Sequence, residues 1–236
     1  MIEVGQATHV GLVRAQNEDA SLAAYPIFAV ADGMGGHAAG EVASALAIDT
    51  LRELAGRELE AGDVVASIEE ANRRVWDGGL LPGQRGMGTT LTGVAALADG
   101  SWVAFNVGDS RVLLAHDGEF RQVTIDHTEV QDMVTLGMLA PDEAAVHPMR
   151  HIVTRSLGAR PGVDVDHERL DLTSGDRLLL CSDGLTDDVA PDDLFWILHT
   201  AANAQDAADA LVQAALAGGG HDNVSVIVLE VQDSGA

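Results

Sequence analysis

The sequence predicts a four-layer α+β sandwich, in which two antiparallel β-sheets are flanked by pairs of helices. Closely spaced strand signals separated by turn residues are typical of an antiparallel meander. Two pairs of amphipathic helices, one in each half of the chain, each need a sheet to cover. The chain has 236 residues, of which 47% are hydrophobic, and no linker-like stretch interrupts it. We therefore expect a single domain over residues 1–236.

The strands are predicted from short apolar runs that stop at turn residues. The run that ends at Asp32 is the first of these. Asp99-Gly100 and Asp117-Gly118 are turn dipeptides between later runs. The predicted strands cover residues 27–31, 89–98, 101–107, 111–116, 119–124, 163–172, 176–181 and 224–231.

The helices are predicted where apolar residues recur with helical spacing. Val64, Ile68, Ala71 and Val75 follow one another at i, i+4, i+7 and i+11, which places them on one face of a helix. Four such stripes cover residues 47–55, 64–75, 194–201 and 207–215. Two shorter helical signals, at 128–137 and 141–146, lie in an insertion that precedes the strand at 163–172.

The charge of the chain excludes some classes of function. It has 13 basic and 37 acidic residues, a net charge of −24, and no lysine. Without a basic patch, binding to nucleic acid or to an anionic membrane is not expected. Any group that holds a phosphate must be an arginine or a metal ion. Since the chain has no long apolar stretch and no signal-peptide pattern, we expect a cytoplasmic protein without membrane contact.

Several aspartates stand where an apolar strand stops and glycine is adjacent. Asp32 and Asp183 each precede a glycine, and Asp109 follows one. A carboxylate at a strand end is held rigidly, and a neighbouring glycine allows close approach of a ligand. Carboxylate, carbonyl and water oxygens are the ligands that magnesium and manganese prefer. Asp-Gly alone predicts a turn, but the preceding strands favour a metal site.

Other chemistries do not fit the sequence. The glycine-rich stretch 32–41 matches neither a P-loop nor a dinucleotide fingerprint. The single cysteine, Cys181, lacks the arginine that a cysteine phosphatase needs a few residues later, and position 187 is Asp187. Cys181 is therefore expected to be a buried apolar residue. The polar segment 14–19, taken alone, is expected to be a solvated loop.

Taken together and in order, the motifs of this chain resemble those of the PPM family, the protein phosphatase 2C-like serine/threonine phosphatases, in their bacterial form. One such motif is weak evidence, but eight in family order, from near the first residue to near the last, are strong evidence. The matching segments are residues 11–19, 32–37, 88–91, 106–111, 126–128, 154–158, 181–186 and 220–224.

The resemblance implies a centre of Mn²⁺ or Mg²⁺ ions, with two central ions and a third beside them. Asp32 would bridge the two central ions, and the Gly33 carbonyl would bind one of them. Asp183 and Asp222 would complete the protein ligands of the other. Asp109, together with Asp183, would hold the third ion.

The resemblance also implies roles around the metals. Arg14 would clamp the phosphate, while Glu18 and Asp19 would order metal-bound waters. Residues 128–157 would form a mobile flap beside the site. In the implied mechanism, two cations about 3.5–4 Å apart lower the pKa of a bridging water, which attacks phosphorus as hydroxide.

One position departs from the eukaryotic pattern of the family. Met34 stands where those enzymes carry the histidine that protonates the leaving alkoxide. A metal-bound water, His37 or His127 could substitute, although a structural hydrogen bond is the expected role of either histidine. His221, directly before Asp222, either modulates that ligand or caps a turn.

The expected substrates are phosphorylated proteins made by a cognate Ser/Thr kinase, and the expected state is a monomer. One alternative is a phosphatase dedicated to a single sigma-factor regulator. A second is a non-catalytic relative that binds phosphoproteins. The second would be expected to have lost a metal carboxylate, whereas Asp32, Asp183 and Asp222 are all present.

Overall fold

The computed structural model describes residues 1–35 and 39–232 of the chain, and strands make up its centre. His37 lies outside the described residues. In chain order the strands are β1 (Ile2–His9), β2 (Asp19–Ala24), β3 (Ile27–Met34), β4 (Gly88–Thr89), β5 (Leu91–Ala96), β6 (Trp102–Val107), β7 (Arg111–His116), β8 (Glu119–Gln122), β9 (Asp166–Leu170), β10 (Arg177–Cys181) and β11 (Val224–Val231).

These strands form two antiparallel sheets, as the sequence predicted. The first sheet has the order β1-β11-β10-β7-β8, and the second has the order β2-β3-β5-β6-β9 with β4 paired to β3. Apolar residues of both sheets, among them Phe28, Val94, Leu178 and Ile227, form the layer between them. This layer is the core between the two sheets.

Helices cover the outer faces of both sheets and complete the αββα sandwich. The covering helices are α1 (Gly40–Arg52), α2 (Ala61–Gly79), α5 (Asp183–Asp188), α6 (Pro191–Thr200) and α7 (Ala204–Gly218). Two shorter helices, α3 (Glu129–Thr135) and α4 (Pro141–Ala144), lie in the insertion and contact each other. The α1–α2 pair shares a core with the second sheet, and α5, α6 and α7 share one with the first. The stripe on α2 is buried as predicted, through Val64, Ile68, Ala71 and Val75.

Three elements were absent from the sequence-based prediction. β1 and β2 were not predicted, because β1 is only partly buried and β2 is short and follows a polar segment. The segment 14–19 is therefore not wholly a loop, since Asp19 begins β2. The helix α5 starts at Asp183, directly after β10, where the sequence indicated only a strand end. None of the helices within the described ranges is both long and apolar enough to cross a bilayer.

The antiparallel order brings the ends of several strands to one end of the sandwich. The end of β3 lies beside the start of β2, because Asp32 pairs with Asp19. The end of β10 lies beside the start of β11, because Cys181 pairs with Val226. The two sheets also contact each other through β11 and β3. Polar residues far apart in sequence therefore meet at this end.

Candidate functional site

A cavity of about 1000 Å³ opens at this end of the sandwich. We call it the acidic cleft. All the sequence-predicted site residues except Asp19 line it, namely Arg14, Glu18, Asp32, Gly33, Asp109, Asp183 and Asp222. Asp19 lies beside the cleft as the cross-strand partner of Asp32.

Asp19 and Asp32 stand directly opposite each other in the β2–β3 pair. Like charges in this arrangement destabilise a sheet. Asp19 Oδ2 accepts a hydrogen bond from Ser182 Oγ at 2.7 Å, whereas Oδ1 is buried and has no hydrogen-bond partner among the described residues. Burial raises the pKa of Asp19 to about 7, and the charge of Asp183 contributes to the increase.

The backbone around Asp32 is fixed by two threonines. The Asp32 N–H donates to Thr90 Oγ1 at 2.9 Å, and its carbonyl accepts from Thr90 N–H at 2.9 Å and from Thr89 Oγ1 at 2.8 Å. Burial, followed by the charges of Asp19 and Asp183, raises the pKa of Asp32 well above its usual range. The site therefore holds this carboxylate rigidly among others of like charge.

Gly33 is the residue at which α1 approaches β3 most closely. A Cβ added at Gly33 would lie 2.3 Å from the carbonyl oxygen of Gly40, at the start of α1. Such a distance cannot be accommodated without moving the backbone. The glycine after Asp32 is thus required by packing, whatever its carbonyl binds.

Asp183 and Asp109 reach the cleft from two different strand ends. Asp183 starts α5, and its Oδ1 is buried, with no hydrogen-bond partner in the described parts of the chain. Burial raises the pKa of Asp183, and so does the nearby charge of Asp187. Asp109 follows Gly108, whose φ of 115° favours glycine. Burial and the charge of Asp183 raise the pKa of Asp109 to about 7.

Arg14 and Asp222 form an ion pair at the mouth of the cleft. Arg14 Nη2 lies 2.5 Å from Asp222 Oδ2, and 52% of the arginine side chain is exposed. This hydrogen bond raises the pKa of Arg14. The guanidinium is anchored at one side and remains accessible to a ligand in the cleft.

Glu18 also lines the cleft, but with fewer constraints. Burial raises the pKa of Glu18, and the charge of Glu41 adds to this effect. Its backbone carbonyl accepts from Ser44 Oγ at 2.5 Å and from Gly33 N–H at 3.2 Å. The backbone of Glu18 thus links the 14–19 segment to both β3 and α1.

Asn223 organises the N-terminal side of the cleft. Its Nδ2 donates to the carbonyls of Val10 and Gln16, both at 2.9 Å, and its Oδ1 accepts from Glu18 N–H at 2.8 Å. These three bonds fix the loop that carries Arg14. Asn223 lies in one of the matching segments, but nothing local in the sequence indicates this role, because its partners lie more than 200 positions away in the chain.

The insertion and α5 contribute residues that the sequence analysis did not assign to the site. Arg150, His151 and Asp187 all line the cleft. His151 Nδ1 lies 3.4 Å from Asp187 Oδ2, and one ligand atom from each of His151, Asp183 and Asp187 lies within 4.8 Å of the others. The signal that assigns these residues to the site is the proximity of one histidine to two aspartates. This proximity arises from the folding of the chain, so it cannot be read from the sequence.

The two remaining histidines of interest have structural partners. His127 is buried, its Nδ1 accepts from Gly108 N–H at 3.0 Å, and its Nε2 lies 3.1 Å from Asp166 Oδ2. This is the structural hydrogen bonding expected of His127. His221 Nδ1 lies 2.6 Å from Asp188 Oδ1, so this histidine does pair with a carboxylate near a turn.

The donor set of the cleft suits a hard divalent cation. The carboxylates of Asp32, Asp109, Asp183 and Asp222 converge there from near the ends of different strands. Two buried carboxylate oxygens, one each on Asp19 and Asp183, have no hydrogen-bond partner within residues 1–35 and 39–232. Buried charges of like sign are costly unless they are paired or bind a metal. Oxygen ligands match magnesium and manganese.

Two known proteins have sequences similar to that of this chain. The chain is 42% identical over 228 residues to the serine/threonine protein phosphatase PstP of Mycobacterium tuberculosis, covering 94% of this chain and 44% of PstP. It thus spans less than half the length of that relative. It is 34% identical over 252 residues to the protein phosphatase PhpP of Streptococcus pneumoniae, and the match covers 100% of both chains.

Solved structures agree with these relatives. The crystal structure of M. tuberculosis PstP has a TM-score of 0.93 at 38% identity, covering 98% of this chain and 99% of that one. Another structure, the PstP catalytic domain in complex with two manganese ions, has a TM-score of 0.87 at 38% identity, with the same coverage. The sequence profile described as Protein phosphatase 2C matches residues 13–218. The chain therefore belongs to the protein phosphatase 2C family.

Proposed function

We propose that this chain hydrolyses phosphoserine and phosphothreonine in proteins with the help of Mn²⁺ or Mg²⁺. The observation that carries the proposal is the convergence of Asp32, Asp109, Asp183 and Asp222 in one cleft. The names of its relatives, which are serine/threonine phosphatases, support the substrate class.

Asp32, Asp183 and Asp222 are the proposed protein ligands of two central ions, with the Gly33 carbonyl beside them. Asp109 and Asp183 are the proposed ligands of a third ion. The buried, unpartnered Oδ1 of Asp183 supports its assignment. When bound, such ions activate a water for attack on phosphorus and neutralise the charge of the phosphoryl group.

Arg14 is the proposed phosphate clamp. Its guanidinium has donors to spare, because the pair with Asp222 occupies only one side of it. Arginine binds phosphate oxygens with two parallel hydrogen bonds. Asp222 would hold the arginine at the rim, so that the phosphate arrives at an already oriented donor.

Asp19 and Glu18 are proposed to orient waters in the site. The free Oδ1 of Asp19 is a buried acceptor, while Ser182 fixes the other oxygen of the same carboxylate. A fixed acceptor of this kind can hold the proton of a neighbouring water. The carboxylate of Glu18 lines the cleft from the adjacent loop.

We also propose that residues 1–236 are one catalytic domain and that residues 128–157 form its flap. The position of Arg150, His151 and Val153 along the cleft supports the flap. A cytoplasmic monomer that reverses the action of a Ser/Thr kinase is the proposed setting, and the net charge of −24 favours solubility.

The test is hydrolysis of matched phosphopeptides that differ only in the phosphorylated residue. We expect phosphate release from phosphothreonine and phosphoserine peptides and little from phosphotyrosine. No release from either of the first two, by a protein that binds manganese, would contradict the proposal and would favour a phosphoprotein-binding role.

A further inference from the structure

A second groove, of about 420 Å³, adjoins the acidic cleft. We call it the Arg85 groove. Residues 76–88, from the end of α2 to β4, form one side of it, and residues 156–159, after the insertion, form the other. Met34 lines both the Arg85 groove and the acidic cleft. The two cavities therefore meet at this residue.

The lining of the Arg85 groove is largely apolar. Met34, Trp76, Leu80 and Met87 contribute to it. Leu80 is 64% exposed, and its neighbour Leu81 is 55% exposed. Adjacent exposed leucines beside a groove mark an interaction surface more often than isolated ones do.

Arg85 gives this groove a positive charge, and none of the described residues that line the groove is a carboxylate. It is exposed, and within the described parts of the chain no carboxylate forms an ion pair with it. In a chain of net charge −24, an arginine without such a partner is available to an external anion. The acidic cleft also has two arginines, Arg14 and Arg150, but they stand among carboxylates such as Asp187, Asp188 and Asp222.

A phosphoprotein bound in the cleft must continue past the phosphorylated residue in both directions. An acidic flanking segment would be repelled by the acidic cleft, where carboxylates outnumber arginines. On the side of Met34 it would meet an apolar surface and a free guanidinium. Charge and shape thus favour one class of flanking sequence in this direction.

Resting on the proposed phosphatase function, we propose that the Arg85 groove binds the substrate chain next to the phosphorylated residue. It receives an apolar side chain against Trp76 and Leu80, and it pairs an acidic side chain with Arg85. The groove is then a specificity determinant for apolar and acidic flanks.

The test uses four phosphothreonine peptides. Each carries a leucine–glutamate or a serine–glutamine pair, placed either before or after the phosphothreonine. The fifth substrate is p-nitrophenyl phosphate. The last substrate is too small to reach the groove. For Arg85→Gln we expect kcat/KM to fall about two- to fivefold for a leucine–glutamate peptide, the range for one exposed ion pair. Leu80→Ser should lower the same value by about fivefold, through lost apolar contact.

Both variants should leave p-nitrophenyl phosphate hydrolysis unchanged. Arg85→Glu should reverse the preference, towards peptides with arginine in place of glutamate. Arg57→Gln is the matched control, because it removes the same charge at a site far from the groove. Arg57 follows Gly56, and the Gly56 N–H donates to the carbonyl of Tyr25, near the end of β3 that is opposite to Asp32. That variant should behave as the wild type on every substrate.

Three results would overturn the inference. Unchanged peptide kinetics with intact p-nitrophenyl phosphate hydrolysis would mean that no substrate binds here, while the proposed function survives. An equal fall in kcat/KM for the peptides and for p-nitrophenyl phosphate would show that Arg85 supports the structure of the acidic cleft and does not bind the flanking chain. A wild type that sediments as a dimer, and a Leu80→Ser variant that is monomeric, would show that the groove binds a second copy. A wild type inactive on every peptide would remove the proposed function itself.

Discussion

Asp19 and Asp32 are two single residues whose carboxylates are brought close together by the pairing of β2 with β3. Two carboxylates that face each other across a ladder repel, and here both are partly buried. The fold tolerates this because the strands are held by neighbouring hydrogen bonds, such as those from Thr89 and Thr90 to Asp32. A bound cation would turn the repulsion into attraction.

Replacing one carboxylate tests this balance. Asp183→Asn should reduce turnover of p-nitrophenyl phosphate by at least about a hundredfold, a loss typical of removing one electrostatic contact to a transition state. In EDTA its melting temperature should equal or exceed that of the wild type, since the like-charge repulsion is relieved. Asp171→Asn, at an exposed position away from the cleft, is the control and should change neither value. A variant with near-normal turnover and manganese content would show that Asp183 is not a ligand.

Arg14→Ala should weaken substrate binding more than metal binding. The loss of a charged hydrogen bond costs about 1.5–3 kcal/mol, or roughly ten- to more than a hundredfold in kcat/KM. Arg14→Lys should also be impaired, because an ammonium cannot make the planar two-pronged contact. The diagnostic measurement is inhibition by inorganic phosphate. If the alanine variant binds phosphate as tightly as the wild type, Arg14 only braces Asp222.

At the scale of elements, the loop before β2 depends on the start of β11. The side chain of Asn223 makes three hydrogen bonds to this loop and is 5% exposed. No regular secondary structure holds residues 10–18, so these bonds replace a ladder. The position of Arg14 is thus set by a residue near the C-terminus.

Asn223→Ala should lower the free energy of unfolding by about 1–3 kcal/mol, the cost of leaving buried polar groups unpaired. Asn223→Asp keeps the acceptor for Glu18 N–H but turns a donor into an acceptor that faces two carbonyls. It should therefore be at least as destabilising. Urea unfolding measures both, and Asn203→Ala, at the start of α7, serves as a comparison for the loss of a cap. Wild-type stability in both Asn223 variants would show that the loop is held by other contacts.

Some residues of the site could be predicted from local sequence patterns, whereas others could not, and the difference has physical reasons. Asp32, Asp109 and Asp183 were found because a strand end beside a glycine is a local pattern. Arg14 and Asp222 followed only from the resemblance, since each looks like an ordinary polar residue. Arg150 and His151 were missed, because nothing local tells where an insertion packs. The pairing of Asp19 with Asp32 depends on strand register, which local patterns do not specify for a short strand.

At the scale of the whole molecule, stability without metal should depend on pH. Burial raises the pKa of Asp19 and of Asp109 to about 7, from an ordinary value near 3.8. A group whose pKa is raised by folding stabilises the folded state below its unfolded pKa, and this contribution is lost as pH rises through the folded pKa. The metal-free protein should therefore lose stability between about pH 4 and 7.

Melting temperatures in EDTA at pH 5 and pH 8 check this. The value at pH 8 should be lower, and added Mn²⁺ should restore it. Repeating the measurement at high salt separates the effect of the buried carboxylates from the general repulsion of a chain with net charge −24. Salt screens exposed charges more than buried ones, so the pH dependence due to the buried carboxylates should persist. A double variant, Asp19→Asn with Asp109→Asn, should flatten the dependence. A metal-free wild type as stable at pH 8 as at pH 5 would contradict the electrostatic account.

Divalent ions held by Asp32, Asp183 and Asp222 are proposed to be required for phosphate release from phosphoproteins. The most direct measurement is a titration of Mn²⁺ into EDTA-treated and dialysed protein, in which bound manganese and phosphate release from a phosphothreonine peptide are followed together. We predict no release without metal, and a rate that rises in step with the binding of the central ions. Full phosphate release from protein shown to contain no metal would contradict the account.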